Sequence, residues 1–181
     1  MRFLAFLLVA ACVAVPSLAL ADGPSYDDPG MHFTAPEGWK KIQPPDDGKD
    51  PVERAGPVVA FVWHQDQIDQ ESITITTTPS SDDLDSFEHD EEGKLRSASD
   101  GTFIKKREKT ALANGMPAYF IDARLTNQSG GAVEHYAYLV IDTKRTIEIS
   151  YAGPYGKADA DAVKKLFASL YVVVYPVRRD R

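Results

Sequence analysis

Cysteine is all but missing from this chain: Cys12 is the only one in 181 residues, and it lies in the N-terminal segment. A single cysteine closes no disulfide. Once that segment is removed, thiol catalysis and cysteine-ligated metal are excluded as well. Basic charge is also scarce, with 20 Lys and Arg against 27 Asp and Glu and a net charge of −7. Nucleic acid is therefore not an expected partner, because binding it depends on neutralising phosphates with a basic field. Only one long apolar run occurs, FLAFLLVAACVAV from Phe3, and Pro16 and Ser17 break it. It is shorter than the about 20 apolar residues of a spanning helix, so no stable membrane span is expected. Internal repeats, low-complexity tracts, a G-x-S-x-G elbow, an S-x-x-K motif and a glycine-turn calcium loop are absent too, and enzyme activity is not the expectation.

The apolar run has a function of its own. Met1 and Arg2 give a short positive head, and Ala19-Leu20-Ala21 offers small residues for a signal peptidase, so residues 1–21 read as a signal peptide. Val9-Ala10-Ala11-Cys12 also resembles the box preceding a lipid-modified cysteine. Against a lipid anchor at Cys12, residues 13–21 continue apolar instead of turning into a polar tether. Cleavage after Ala21 leaves 160 residues and, with Arg2 gone, 19 basic against 27 acidic side chains, or −8. A chain of that size can bury roughly 68–70% of its unfolded surface in a single core. Export without disulfides suits a bacterial envelope, so the expected location is periplasmic or secreted.

Residues 22–30, DGPSYDDPG, contain turn formers without periodic apolar positions and read as a flexible lead-in. The domain is expected over 31–175, followed by a charged tail at 176–181. Met31–Thr34 and Trp39–Ile42 read as a small hairpin around Ala35-Pro36-Glu37-Gly38, and the Pro-rich acidic stretch 43–56 as a surface loop. Val58–Trp63 and Ser72–Thr78 alternate as strands. Ser80-Ser81-Asp82-Asp83 supplies a cap and first-turn acids for a helix over 82–98, with Leu84, Phe87, Leu95 and Ala98 on one narrow stripe. Thr102–Leu112, Ala118–Thr126, Ala132–Asp142 and Thr146–Tyr151 form a meander with short turns. A last helix opens at Asp159 and Asp161 with Val163, Leu166, Phe167 and Leu170 on one face, and Tyr171–Tyr175 leaves it as an edge segment. The fold class is α+β: a mostly antiparallel sheet packed with two main helices.

Four stretches together resemble the PsbP-like fold family: Phe33-Thr34-Ala35-Pro36-Glu37-Gly38-Trp39, the helix opening SSDDLDSF, the turn Asn114-Gly115-Met116-Pro117-Ala118, and the terminal amphipathic helix. The resemblance covers about Met31 to Tyr175. It implies a three-layer sandwich and a chain that binds other proteins, and it brings no catalytic residue to carry over.

Among candidate groups, His32, His64, His89 and His135 lie on separate elements without the short ligand spacings of a zinc site, so neither metal nor cofactor is expected. Asp66, Asp69 and Glu71 beside His64 could hold a hard cation loosely, and read more simply as a solubilising loop. Lys105, Lys106, Arg107 and Lys109 alternate through a strand as a solvated face that could still attract a small anion. Glu91 falls inside the apolar stripe of its helix. Burial would raise its pKa unless it is paired, and the simpler expectation is that the helix lifts off the sheet there. On the meander, Phe120, Tyr136 and Tyr138 with Arg124 occupy a second face that is aromatic as well. Either the N-terminal elements cover it or it is an open patch for a partner; coverage is the favoured expectation. These features point to an exported, non-catalytic binding or assembly module engaging a protein partner. A periplasmic small-ligand carrier or sensor is the alternative, with a hydrolase third.

Overall fold

The structure is a computed structural model describing residues 23–28, 30–44, 48, 55–63, 70–80, 83–98, 101–126, 129–142 and 145–173. Twelve elements follow in order: β1 (Ser25–Asp28), β2 (Met31–Thr34), β3 (Lys40–Ile42), β4 (Gly56–Trp63), β5 (Glu71–Pro79), α1 (Leu84–Ala98), β6 (Phe103–Ala111), β7 (Pro117–Thr126), β8 (Ala132–Ile141), β9 (Arg145–Pro154), α2 (Ala160–Ala168) and β10 (Tyr171–Val172). Seven strands form one antiparallel sheet in the order β3-β4-β5-β9-β8-β7-β6, and β1-β2-β10 form a small second sheet. The fold is thus α+β and mostly antiparallel.

Strand periodicity sorts the large sheet into two faces. Ile121, Ala123, Ala137 and Leu139 pack with Phe87 and Leu95 of α1. On the opposite face Phe61, Ile73, Ile75, Phe120, Tyr136, Tyr138, Ile147 and Ile149 join Val163, Phe167 and Leu170 of the α2 segment, together with Tyr26, Met31, Phe33 and Val172 of the small sheet. Three layers result, with α1 on one side of the large sheet and α2 beside the small sheet on the other. Phe33, Phe61 and Phe167 are fully buried, each stabilising the fold by roughly 1.5–3 kcal/mol.

Local chemistry explains the joints. At Gly38 the backbone turns left-handed (φ +85°) while the Trp63 indole lies where a β-carbon would project, so a side chain is excluded twice over. That turn brings Trp39 into a stack with Trp63, their centroids 6.4 Å apart. Asp83 caps α1 by accepting from the Ser86 amide at 2.8 Å, and Asp159 caps α2 by accepting from the Asp161 amide at 3.1 Å. The Asn114-Gly115 turn closes β6 onto β7 and reaches outward: Asn114 Nδ2 donates to the Val172 carbonyl at 2.9 Å, and the Ala113 amide donates to the Ala168 carbonyl at 2.7 Å. A meander turn is therefore also the latch for α2 and β10.

Two expectations are corrected. Residues 22–30 are not a flexible lead-in throughout, because Ser25–Asp28 pairs with β2 and Tyr26 is 2% exposed. Turn-rich composition concealed this, since one buried aromatic in four residues has no periodicity. Nor do the strands at 31–34 and 39–42 form a hairpin. β2 lies between β1 and β10, whereas β3 pairs with β4. The Gly38 turn sends the chain from one layer to the other instead of back along itself.

Candidate functional site

The aromatic face of the meander is covered. Phe120, Tyr136 and Tyr138 are 2%, 1% and 1% exposed. Phe120 packs on both tyrosines, Tyr136 stacks on Tyr151, and Tyr138 meets Phe167 of α2 edge-on. The open-patch expectation is corrected for these three side chains, which belong to the core because α2 and the small sheet close over them. Burial also raises the pKa of the Tyr138 and Tyr136 hydroxyls, the latter with help from the Glu134 carboxylate.

Arg124 behaves differently. It points to the same face two residues beyond Asp122, past the reach of α2, and is exposed. Its guanidinium lies over the Tyr155 ring at 4.7 Å from the centroid, and the Lys105 ammonium lies 5.1 Å from the same ring. Phe103 sits directly across the β6–β7 ladder from Arg124, so the two side chains share a face. Phe103 is 63% exposed and Tyr155 49% exposed. Cation, aromatic and apolar groups thus come together at one end of the sheet, Phe103 and Lys105 from the edge strand β6, Arg124 from β7 and Tyr155 from the turn after β9.

Beneath this layer the charges are paired inward. Lys105 Nζ sits 3.3 Å from Asp122 Oδ1 and 3.2 Å from Glu134 Oε1. Burial works against its charge, yet the two carboxylates raise its pKa overall. Glu134 is 5% exposed, and its Oε2 has no hydrogen-bond partner among the described residues. Further along, the Tyr151 hydroxyl donates to Glu71 at 3.0 Å and leans over Gly153, where a side chain would collide with it.

The rest of the basic strand is engaged as well. Lys106 pairs with Glu108, Arg107 with Glu92 and Glu88, and Lys109 with Asp85 at 3.0 Å. The strand's cations are exposed, in line with a solvated face, and the pairs of Arg107 and Lys109 form an ionic seam with α1.

On the α1 side, Glu91 is 5% exposed between Phe87 and Leu95, so the helix stays on the sheet there. Lys94 donates to Glu91 Oε2 at 3.1 Å. Across the interface lies Glu148, whose pKa is pushed up to about 7 by burial and then by the Glu91 carboxylate, with Ser150 and Lys94 working against the shift. His135, buried on the same face, has its pKa lowered to about 4 by burial. His32 lies 2.5 Å from Asp27, while His89 is exposed on α1. His64, Asp66 and Asp69 fall outside the described residues, among which no group of His, Cys, Asp or Glu could hold a metal ion.

Sequence reasoning missed Phe103, Tyr155 and Glu148. Phe103 and Tyr155 carried a faint signal: each is an aromatic at the boundary of a strand or turn, outside any apolar stripe. Glu148 carried a stronger one, a carboxylate alternating with Ile147 and Ile149 on a central strand.

No family model matches the chain, and neither does any curated protein. Solved structures do. Cyanobacterial PsbP (CyanoP) from Synechocystis sp. PCC 6803 aligns with a TM-score of 0.57 at 19% identity, over 91% of this chain and 99% of that one. PA94 from Pseudomonas aeruginosa, a protein of unknown function, aligns with a TM-score of 0.56 at 12% identity, over 85% and 98% of the respective chains. With the layer order above, these likenesses establish that the chain has a PsbP-like fold.

Proposed function

We propose that this protein is exported through the signal peptide at residues 1–21 and acts in the periplasm or outside the cell as a non-catalytic binding or assembly module. Its contact surface for a protein partner is the Phe103, Arg124 and Tyr155 patch. The observation carrying this reading is exposure: Phe103 and Tyr155 lie open beside a cation while Phe120, Tyr136, Tyr138 and Tyr151 on the same sheet face are buried. Aromatics and arginine are the side chains that most often dominate protein interfaces. Among the described residues no helix is long and apolar enough to cross a membrane.

Crosslinking in cells followed by affinity capture tests the reading. Phe103→Ala and Tyr155→Ala should fold normally and lose the captured partner, and unchanged capture by both would overturn the proposed surface. N-terminal sequencing of the exported protein should begin at Asp22; retention of residues 1–21 would overturn the export reading.

A small-ligand carrier is the second reading, favoured by the buried Glu134 Oε2 that receives no hydrogen bond among the described residues. Under that reading Glu134→Gln, and not Phe103→Ala, is the change that removes binding.

A further inference from the structure

We propose that the Arg124 patch recognises a carboxylate on an acidic polypeptide segment, with an apolar side chain next to that carboxylate seated on Phe103. The inference rests on the binding reading above and supplies the chemistry of the partner.

Its basis is the charge left over at this end of the sheet. Lys105 is held between Asp122 and Glu134, and Lys106, Arg107 and Lys109 each pair with a carboxylate, Glu108 being shared with Lys164 and Glu92 with Arg96. Arg124 makes no ion pair among the described residues: its cross-strand neighbour Glu134 is engaged by Lys105, and its contact is the Tyr155 ring. The Tyr155 ring beside the exposed guanidinium restricts its motion, so less side-chain freedom is lost when a bidentate partner arrives. One ordered fork suits one carboxylate.

A phosphate-bearing surface would call for a field of several free cations. On this strand the remaining cations already face acids, and the whole chain carries −7. The apolar half of the recognition comes from Phe103, 63% exposed and directly opposite Arg124 in the ladder. β6 is also the outer strand of the seven-stranded sheet, so an extended segment can lie along its open backbone edge while one side chain reaches Arg124.

The test uses the mature protein and two N-acetylated, C-amidated peptides, Gly-Phe-Glu-Phe-Gly and the same sequence with Gln for Glu, followed by NMR at the Phe103 and Tyr155 amides and the Arg124 Nε–H. Saturable shifts at these three groups are expected with the Glu peptide. Binding should weaken about tenfold with the Gln peptide or in Arg124→Gln, the loss of one charge-assisted pair. Arg124→Lys should fall between, since it keeps the charge and loses the fork. Equal binding of the two peptides, shifts confined to other parts of the molecule, or binding to phosphatidylglycerol vesicles with no response to either peptide would each overturn the inference. Capture in cells separates the two levels. A partner lost by Phe103→Ala and Tyr155→Ala but kept by Arg124→Gln sinks the carboxylate inference alone, whereas a partner kept by all three variants sinks the binding reading itself.

Discussion

Single residues hold this fold at places where no substitute fits. Gly38 combines a left-handed backbone with the Trp63 indole packed where a β-carbon would lie. Gly38→Ala should therefore cost about 2 kcal/mol in urea unfolding, from backbone strain and displacement of the Trp39–Trp63 stack. A loss below the error of the measurement would mean that the turn relaxes freely. Arg145 is fully buried. Its Nε donates to Asp142 Oδ2 at 2.7 Å and its Nη1 to Asp28 Oδ2 at 3.2 Å, and both acids are nearly inaccessible. Arg145 keeps Asp142 when Asp28 is replaced, so Asp28→Asn removes one charge-assisted hydrogen bond and should destabilise by about 1.5 kcal/mol. An exposed Asp28 would have shown no such effect.

At the scale of elements, α1 is seated by two apolar side chains and an ionic seam, and the titrating groups beneath it act in opposite senses. Glu148 has a folded pKa of about 7, above its ordinary value of 4.5, so between those values the folded chain keeps a proton that the unfolded chain releases. Its contribution to stability falls as pH rises through that window and is flat above it. His135 is depressed from 6.5 to about 4, so the unfolded chain takes up the proton first and stability falls as pH drops from 6.5 towards 4. The two slopes overlap and oppose each other between pH 4.5 and 6.5, and the wild-type protein should show little net change there. Glu148→Gln should be more stable than wild type above pH 7, equal to it below about pH 4.5, and should expose the acid loss due to His135. His135→Leu should show the converse, losing stability as pH rises. Urea titrations from pH 4 to 8.5 would check both, and parallel pH profiles for the two variants would refute the assignment. Helical spacing puts Glu91 in the apolar stripe, and the favoured expectation that the helix lifts off there is corrected by the 5% exposure of Glu91; Glu148 is a neighbour only because β9 lies beside β8 under the helix.

For the whole molecule, the lead-in is part of the domain's closure. β1 pairs with β2, buries Tyr26 and delivers Asp28 to Arg145. A mature chain beginning at Pro29 should melt roughly 10 °C or more below the full mature protein in calorimetry, whereas a truly loose lead-in would leave the melting temperature unchanged. Most strands, both helices and the turn at Asn114-Gly115 were legible in the sequence, because alternation, helical stripes and caps are local properties that need only neighbouring residues to express them. Patterning likewise identified two apolar faces on the meander, and the PsbP-like fold agrees with the motifs at Phe33–Trp39 and Asn114–Ala118. Composition alone determined that the chain is acidic and has a single cysteine. Tertiary structure decided that both faces are covered, and by what. It assigned Phe120, Tyr136 and Tyr138 to the core and left Arg124 outside with Phe103 and Tyr155. The reason is distance along the chain: Asp28 and Arg145 are 117 residues apart, and β10 closes on β2 from the other end of the fold. Local patterning states which side chains need a neighbour, and only the closed chain determines which neighbour they receive.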